Sequence, residues 1–458
     1  MRLALCDARA PLNEKGCAHL DPKPGRSRPL LLMERTMYRD GRTPFASVFP
    51  IKLRGHLDEC QLRDALRRLQ YKHPLLRCVV DDSPDRPRFV LRDNPAPIPL
   101  RIVDRLSEDE WEDEVLREWT TPFNGAAGAL IRLVWLRGSG IHNLILAGHH
   151  CICDGQGGIG LLQDLLRAYK DPQCDIGFYA ELGSLEDIVP PPVLLDPKFH
   201  RSLRWKRRSL ECILWLNARR RKKSGRIDTK TIYFHRGVLS AQIAQSIADR
   251  SKIEKVTVLA PAALAFMQAF RDVRGVDSFK KVNAMVDARR LVHRIPTNAL
   301  FGLSPGVPMR VKDLPSPSDV GLNTFWTRAR AIKADLDKRV GHLASQFYRF
   351  LLSLEGLHHR YNSVVDFFES TPAIRPLTFS NVGRLTLRTQ YRDLCLEKVY
   401  SPLVMVSPTP ANTVVLSSFG GEMEFAIISD EQSLPRADAV AILRRTSEIL
   451  EACVVGST

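Results

Sequence analysis

None of the ten cysteines in this 458-residue chain forms a CxxC pair. The closest two, Cys151 and Cys153, are spaced CxC, which argues against zinc sites and disulfide frameworks and for reduced thiols in a cytoplasmic protein. No stretch reaches the roughly 18 consecutive apolar residues of a membrane span. The apolar part of the opening segment "MRLALCDARAPLNEKG" is too short for a secretory signal. There is no zinc finger, RRM-like aromatic motif or basic-aromatic strand, so the net charge of +16 does not point to nucleic acid. There is no internal repeat either.

What remains has the composition of an ordinary globular protein, 44% hydrophobic and 26% charged. Its length exceeds the usual single core, which predicts two domains or one two-lobed unit. Much of the basic excess falls in "RSLRWKRRSLECILWLNARRRKK", residues 201–223, where ten Lys or Arg face a single acid, Glu211. Leu203, Leu210, Ile213, Leu214 and Leu216 are roughly helically spaced, with Trp205 and Trp215 nearby. A helix of this kind can lie on an anionic membrane surface or dock an acidic partner. Its other reading is a solvated linker helix packed on its own domain.

Residues 1–28 read as a disordered lead-in without periodicity. Phe45–Leu53 is predicted as a strand. Asp58 caps a helix with apolar positions Leu62, Ala65, Leu66 and Leu69, which Pro74 ends. Leu75–Val80 and "RFVLRD" are predicted strands, and "SEDEWEDEVLREWT" is a helix with its acids in the first turns. "LIRLVWL" and "HNLILAG" form a hairpin whose second strand runs into His149 and His150. After Asp154 and Gly155, "QGGIGLLQDLLRAY" reads as a helix. Residues 176–228 then form a linker carrying the basic helix, which leaves 29–175 and 229–458 as the two lobes. In the second, "KVNAMVDARRL" is a strand that emerges at Arg289, followed by strands in "PLTFSNVGRLTL" and "TVVLSSFGGEMEFAIISD" and a closing helix from "RADAVAIL". The class is α+β without regular alternation.

The chemistry lies in "HHCICDG", residues 149–155, at a strand-to-helix turn. A histidine there can serve as a general base near neutral pH. Asp154 can orient the ring or form an ion pair that fixes the loop, and Gly155, Gly157 and Gly158 permit a tight turn. Cys151 and Cys153, with alternating apolar neighbours, read as core rather than as nucleophiles. The other HH pair, His358–His359, has no Asp-Gly at that offset and reads as surface or packing.

HHxxxDG in this setting resembles the superfamily of peptide-synthetase condensation domains, chloramphenicol acetyltransferase and related acyltransferases. "LDECQLRDALRRLQYKHPLLRCVV", "TTPFNGAAGALIRLVWL", "VDARRL" and "FSNVGRL" resemble its other signatures in the same order, over about residues 30–455. The resemblance implies two chloramphenicol-acetyltransferase-like lobes in a V around a central tunnel. It implies His150 as catalytic base, His149 as structural, and Asp154 paired with Arg289, with Arg290 as the adjacent rival. Ser380 and Asn381 are candidate tunnel or oxyanion groups. No bound cofactor or metal is implied; acyl-CoA or an acyl-carrier protein is the co-substrate and a hydroxyl or amine the acceptor. "SSFGG" lacks the tryptophan of plant BAHD enzymes and "SNVGRL" lacks the Pro-Gly of wax ester synthases. The pattern is most similar to stand-alone polyketide-associated and alcohol acetyltransferase-like members, acting as monomers. Three functions follow: ester formation on a lipid, polyketide or other secondary metabolite; amide formation on a carrier-bound substrate; or a catalytically silent recruiter to a carrier or membrane.

Overall fold

The computed structural model describes residues 27–39, 41, 45–82, 86–181, 183–219, 231–279, 281–292, 295–309, 322–369, 376–404 and 412–455. The lead-in therefore lies outside the described residues except at its last two positions, as do residues 220–223 of the basic segment.

The chain opens with β1 (Ser27–Pro29) and α1 (Leu32–Tyr38) and continues into β2 (Ala46–Gly55). Helix α2 (Glu59–Lys72) starts where Asp58 accepts the Gln61 N–H at 2.8 Å, a side-chain cap. The segment predicted as a strand from Leu75 is instead a 3-10 turn over Pro74–Arg77, because Pro74 fixes its own φ and the His73 carbonyl accepts the Leu76 N–H. Strand β3 (Cys78–Asp81) begins only after it, followed by β4 (Arg88–Leu91) and β5 (Leu100–Asp104). Next come α3 (Glu110–Thr120), β6 (Ile131–Arg137), β7 (Ile141–His149) and α4 (Gly155–Lys170). Between α4 and the next strand the chain makes a 3-10 turn (Glu186–Ile188), one helical turn, α5 (Pro191–Leu194), and the basic helix α6 (Pro197–Arg219).

The second half consists of β8 (Ile232–Leu239), α7 (Ala241–Ile253), α8 (Leu259–Arg274), β9 (Val282–Met285) and β10 (Gly306–Met309). After these come α9 (Leu322–Glu355), α10 (Tyr361–Glu369), β11 (Leu377–Arg384), β12 (Gln390–Tyr391), β13 (Leu394–Val399) and β14 (Leu403–Val404). β15 (Asn412–Phe419), β16 (Glu422–Asp430) and α11 (Arg436–Val455) close the chain.

Besides an antiparallel sheet of β1, β4 and β3, two mixed sheets organise most of these elements. One runs β10-β9-β11-β15-β16-β8 and packs against α8 and α11, the small Ala262, Ala263, Ala265 and Ala269 letting α8 lie close to it. The other runs β12-β13-β2-β7-β6-β5, with β14 also on β2, and its core includes apolar residues of α2, α3 and α4. β13 and β14 thus leave the second lobe, in whose stretch of sequence they fall, and lie antiparallel to β2 in the first, with β12 paired outside on β13. Where they return, the Trp111 and Tyr400 rings stack at 3.9 Å, and Arg236 of β8 lies over both while pairing with Glu112 and Glu424.

Candidate active site

Strand β7 delivers the two histidines. Its last residue, His149, donates its backbone N–H to the Leu130 carbonyl, and the His150 N–H reaches the Phe45 carbonyl at 2.7 Å. The backbone at the turn is therefore fixed by both neighbouring strands. His149 points inward between the rings of Tyr38 and Phe123, and its Nδ1 accepts the Cys151 N–H. Burial, reinforced by His150 and Arg132, pushes its pKa down to about 3, so it stays neutral.

His150 is held differently. Its Nδ1 lies 3.0 Å from the Cys153 carbonyl oxygen. A carbonyl can only accept, so Nδ1 carries the proton and Nε2 keeps the lone pair. Phe45 stacks on the imidazole at 5.4 Å. Burial lowers the His150 pKa against the opposing pull of the Cys153 hydrogen bond and of Asp154, so the ring is neutral and basic at Nε2 near pH 7. The thiols of Cys151 and Cys153 are both buried and their pKa values pushed up by that burial, as befits core residues.

These two histidines set a pH dependence. Below about pH 6.5 the unfolded chain binds protons that the folded chain refuses, so stability falls by about 1.4 kcal/mol per pH unit for each histidine until its folded pKa is reached. Thermal melting is expected to be insensitive to His149 and His150 above pH 7 and to drop steadily from pH 6.5 to 5. A melting temperature that rises over that interval would contradict the placement of His149.

Asp154 caps α4, its Oδ1 accepting the Gly157 N–H at 2.8 Å, and meets Arg289 in a two-pronged ion pair at 2.8 and 2.9 Å. Both side chains are almost wholly buried. β9 stops at Met285, short of the predicted strand: Asp287 caps a 3-10 turn by accepting the Arg289 N–H, and this turn sends Arg289 into the lobe junction. The guanidinium also donates to Asp287 and to the carbonyls of Ala299 and Phe301. Burial pulls its pKa down, but Asp154 and then Asp287 outweigh it and hold it raised. Arg290 is exposed. The Ser304 hydroxyl donates to Asp154 Oδ2 at 3.2 Å, so Asp154 has no role left in orienting His150 directly.

The glycines divide by need. A Cβ at Gly155 would meet only Val382 at 3.4 Å, whereas one at Gly158 would lie 2.0–2.4 Å from atoms of the buried Phe49 ring. Gly158→Ala is therefore expected to destabilise the fold by about 1–3 kcal/mol, as overpacking does. Urea unfolding checks this, and Phe49→Leu in the same chain should recover part of the loss.

A cavity of about 510 Å³ opens beside His150 at the lobe junction. Its walls are mostly apolar and come from α1 (Met33, Met37), α6 (Leu210, Leu214), α9 (Phe350) and the 302–306 loop. Of the two candidate oxyanion groups, neither lines it. Asn381 is exposed and accepts the Gly383 N–H within a register shift of β11, while Ser380 is half-buried on the same strand. The side-chain polar groups on the wall include Asn283 and Thr378. A second hollow of about 900 Å³ shares Gly306, Leu343 and Phe350 with the first, and its rim carries Lys206, Arg328, Lys338, Arg339, His342 and Arg349 against Asp335. The Nη1 of Arg328 and the Nε of Arg349 are buried without a hydrogen-bond partner among the described residues. Among the described residues no cluster of His, Cys, Asp and Glu could hold a metal.

Sequence reasoning missed Phe45 and Gly302. Gly302 approaches so closely that a Cβ there would lie 2.4 Å from the Cys151 carbonyl oxygen and 2.6 Å from that of His150. It also gave no reason for the histidine of "YKHP". His73 is buried, and with Lys72 it pairs with Asp164 of α4 at 3.0 and 2.8 Å, which ties α2 to the helix that follows the motif.

Residues 37–175 match the Condensation domain family. A segment of 118 residues, 25% of this chain, is 34% identical to cyclosporin synthetase of Tolypocladium inflatum, of which it spans 1% of the length. The trichothecene 15-O-acetyltransferase of Fusarium sporotrichioides superposes with a TM-score of 0.69 over 94% of this chain and 96% of that one, at 14% identity. Polyketide synthase associated protein 5 of Mycobacterium tuberculosis does so with 0.62 over 93% and 99%, at 18% identity. The resemblance read from HHxxxDG is borne out, and so is the two-lobed α+β fold.

Proposed function

We propose that this chain is an acyltransferase that moves an acyl group from a CoA or carrier-protein thioester to a hydroxyl of a lipid, polyketide or other secondary metabolite. The observation that carries this reading is the seating of His150: it lines a largely apolar cavity, and its Nδ1 lies 3.0 Å from the Cys153 carbonyl oxygen, which assigns the proton to Nδ1 and leaves Nε2 as the free base. The acceptor oxygen attacks the thioester carbonyl while its proton passes to His150 Nε2. The tetrahedral intermediate then collapses, the C–S bond breaks, and the proton is returned to the departing sulfur. His149, Asp154 and Arg289 hold the turn in place and take no part in the proton transfer. Developing charge on the carbonyl oxygen needs donors, and the cavity wall offers Asn283 and Thr378. The cationic rim of the adjoining hollow suits the phosphates of CoA or of a phosphopantetheine arm.

Amide formation on a carrier-bound substrate uses the same base, and the match of residues 37–175 to the Condensation domain family is what favours it as the second reading. Free-thiol release from a panel of acyl-CoAs and acyl-carrier proteins, offered alcohol and amine acceptors, separates the two. Turnover with an alcohol supports the first reading and turnover with an amine alone the second. No release from any thioester, with carrier protein still bound, would mean a silent recruiter.

A further inference from the structure

Of the six tryptophans, Trp111, Trp119, Trp135 and Trp326 are at most 3% exposed. The other two, Trp205 and Trp215, are 64% and 52% exposed, and both belong to α6. At 3.6 residues per turn they share the outer half of the helix with Leu216, Arg201, Arg204, Arg208 and Arg219. Phe199, Leu203, Leu210 and Leu214 fall on the opposite half, and Leu210 and Leu214 reach the cavity. The only acid of α6, Glu211, sits between the two halves with Arg207 at 3.9 Å and His359 at 3.3 Å. The outer face therefore carries aromatic and cationic side chains and no negative charge, with the Arg219 guanidinium 3.6 Å over the Trp215 ring.

We propose that α6 is an interfacial helix that seats this protein on an anionic lipid bilayer. A solvated bridging helix has a polar outer face; this one exposes its largest apolar side chains. They are interspersed with arginines over about 16 Å of helix rather than gathered into one central patch, as the hot spot of a protein interface would be. An amphipathic helix in the headgroup plane takes this mixture, with tryptophans at the acyl boundary and arginines on anionic headgroups. The helix lies beside the mouth of the cavity, where Ile213 and Phe367 are 48% and 40% exposed and also line it. An acyl chain can then pass from bilayer to cavity past α6 without crossing bulk water. That last step rests on reading the His150 cavity as the acyl-transfer site; the docking does not.

The test is cosedimentation of the full chain with vesicles of phosphatidylcholine alone or mixed with phosphatidylglycerol, at low and high salt. Binding is expected only to the anionic vesicles, weakened by salt, and at least about tenfold weaker in Trp205→Ala/Trp215→Ala/Leu216→Ser and in Arg201→Glu/Arg204→Glu/Arg208→Glu. Bromine-labelled acyl chains should quench wild-type tryptophan fluorescence and leave the Trp205→Ala/Trp215→Ala/Leu216→Ser variant unquenched. These are surface substitutions, and unchanged melting shows that each variant is folded. His150→Ala should bind vesicles like wild type, so a failed catalytic reading leaves this result standing. The proposal is overturned by no binding to anionic vesicles at low salt, or by binding that is indifferent to the tryptophan variant. It is equally overturned if an acidic acyl-carrier protein, and no vesicle, binds through the same arginines.

Discussion

Replacing His150 with alanine is expected to lower kcat for thioester acyl transfer by about 10²–10⁴-fold, the contribution of a positioned general base. KM should change little, because the cavity walls that hold the substrates are contributed by other elements. The structural cost should be small as well. The Cys153 carbonyl that loses the Nδ1 proton still accepts the Ser47 hydroxyl at 2.9 Å, so no buried acceptor is left without a partner. In the wild type, the acidic limb of kcat/KM should fall below the ordinary histidine value of about 6.5, since burial lowers the pKa of His150. A limb above 7, or a folded alanine variant that keeps its kcat, would remove His150 from the proposed role.

Arg289→Met is expected to have the largest effect on stability, about 3–5 kcal/mol, the range seen when one partner of a buried pair is removed. The penalty comes from Asp154 rather than from lost attraction. Its carboxylate would remain buried, with only the Gly157 N–H and the Ser304 hydroxyl to satisfy it, and the Ala299 carbonyl would lose two donors. Asp154→Asn in the same chain keeps a capping oxygen for α4 and removes the stranded charge, so the double variant should recover more than half of the loss. Chemical denaturation of the four proteins of this cycle measures the coupling. Activity should fall in both single variants, because the Asp154 cap sets where α4 begins and hence the turn that carries His150. If the double variant is no more stable than Arg289→Met, the pair does not have this role.

The site was legible where its determinants are local. HHCICDG announces itself because a continuous apolar strand, two histidines, a capping aspartate and an amphipathic helix follow one another within about two dozen residues. The choice of Arg289 for Asp154 came from resemblance, since no pattern of spacing connects positions 135 apart in sequence. Phe45 and Gly302 went unseen for the same reason: stacking on a ring and close approach to a carbonyl leave no periodic trace. In the fold, β5 escaped because "LRIVD" follows three prolines, Pro95, Pro97 and Pro99, and alternates weakly. The 34 residues of α9 went unread although apolar positions recur along it at three- and four-residue spacing, from Trp326, Ala329 and Ile332 to Leu343, Phe347 and Leu354; its exposed, charged middle dilutes that stripe. The passage of β13 into the other lobe lies beyond any reading by segment, because strand partners are chosen by the sheet and not by the strand.

That passage also bears on synthesis. As the first lobe leaves the ribosome, β2 has β7 on one side and, on the other, a row of unpaired backbone groups that β13 and β14 will fill only after most of the chain has been made. Until then Gly55 waits for Leu394, and the half-finished sheet presents a long apolar edge. The cell must shield that edge during elongation, and a chain truncated anywhere before residue 394 should be a client of chaperones rather than a smaller working protein.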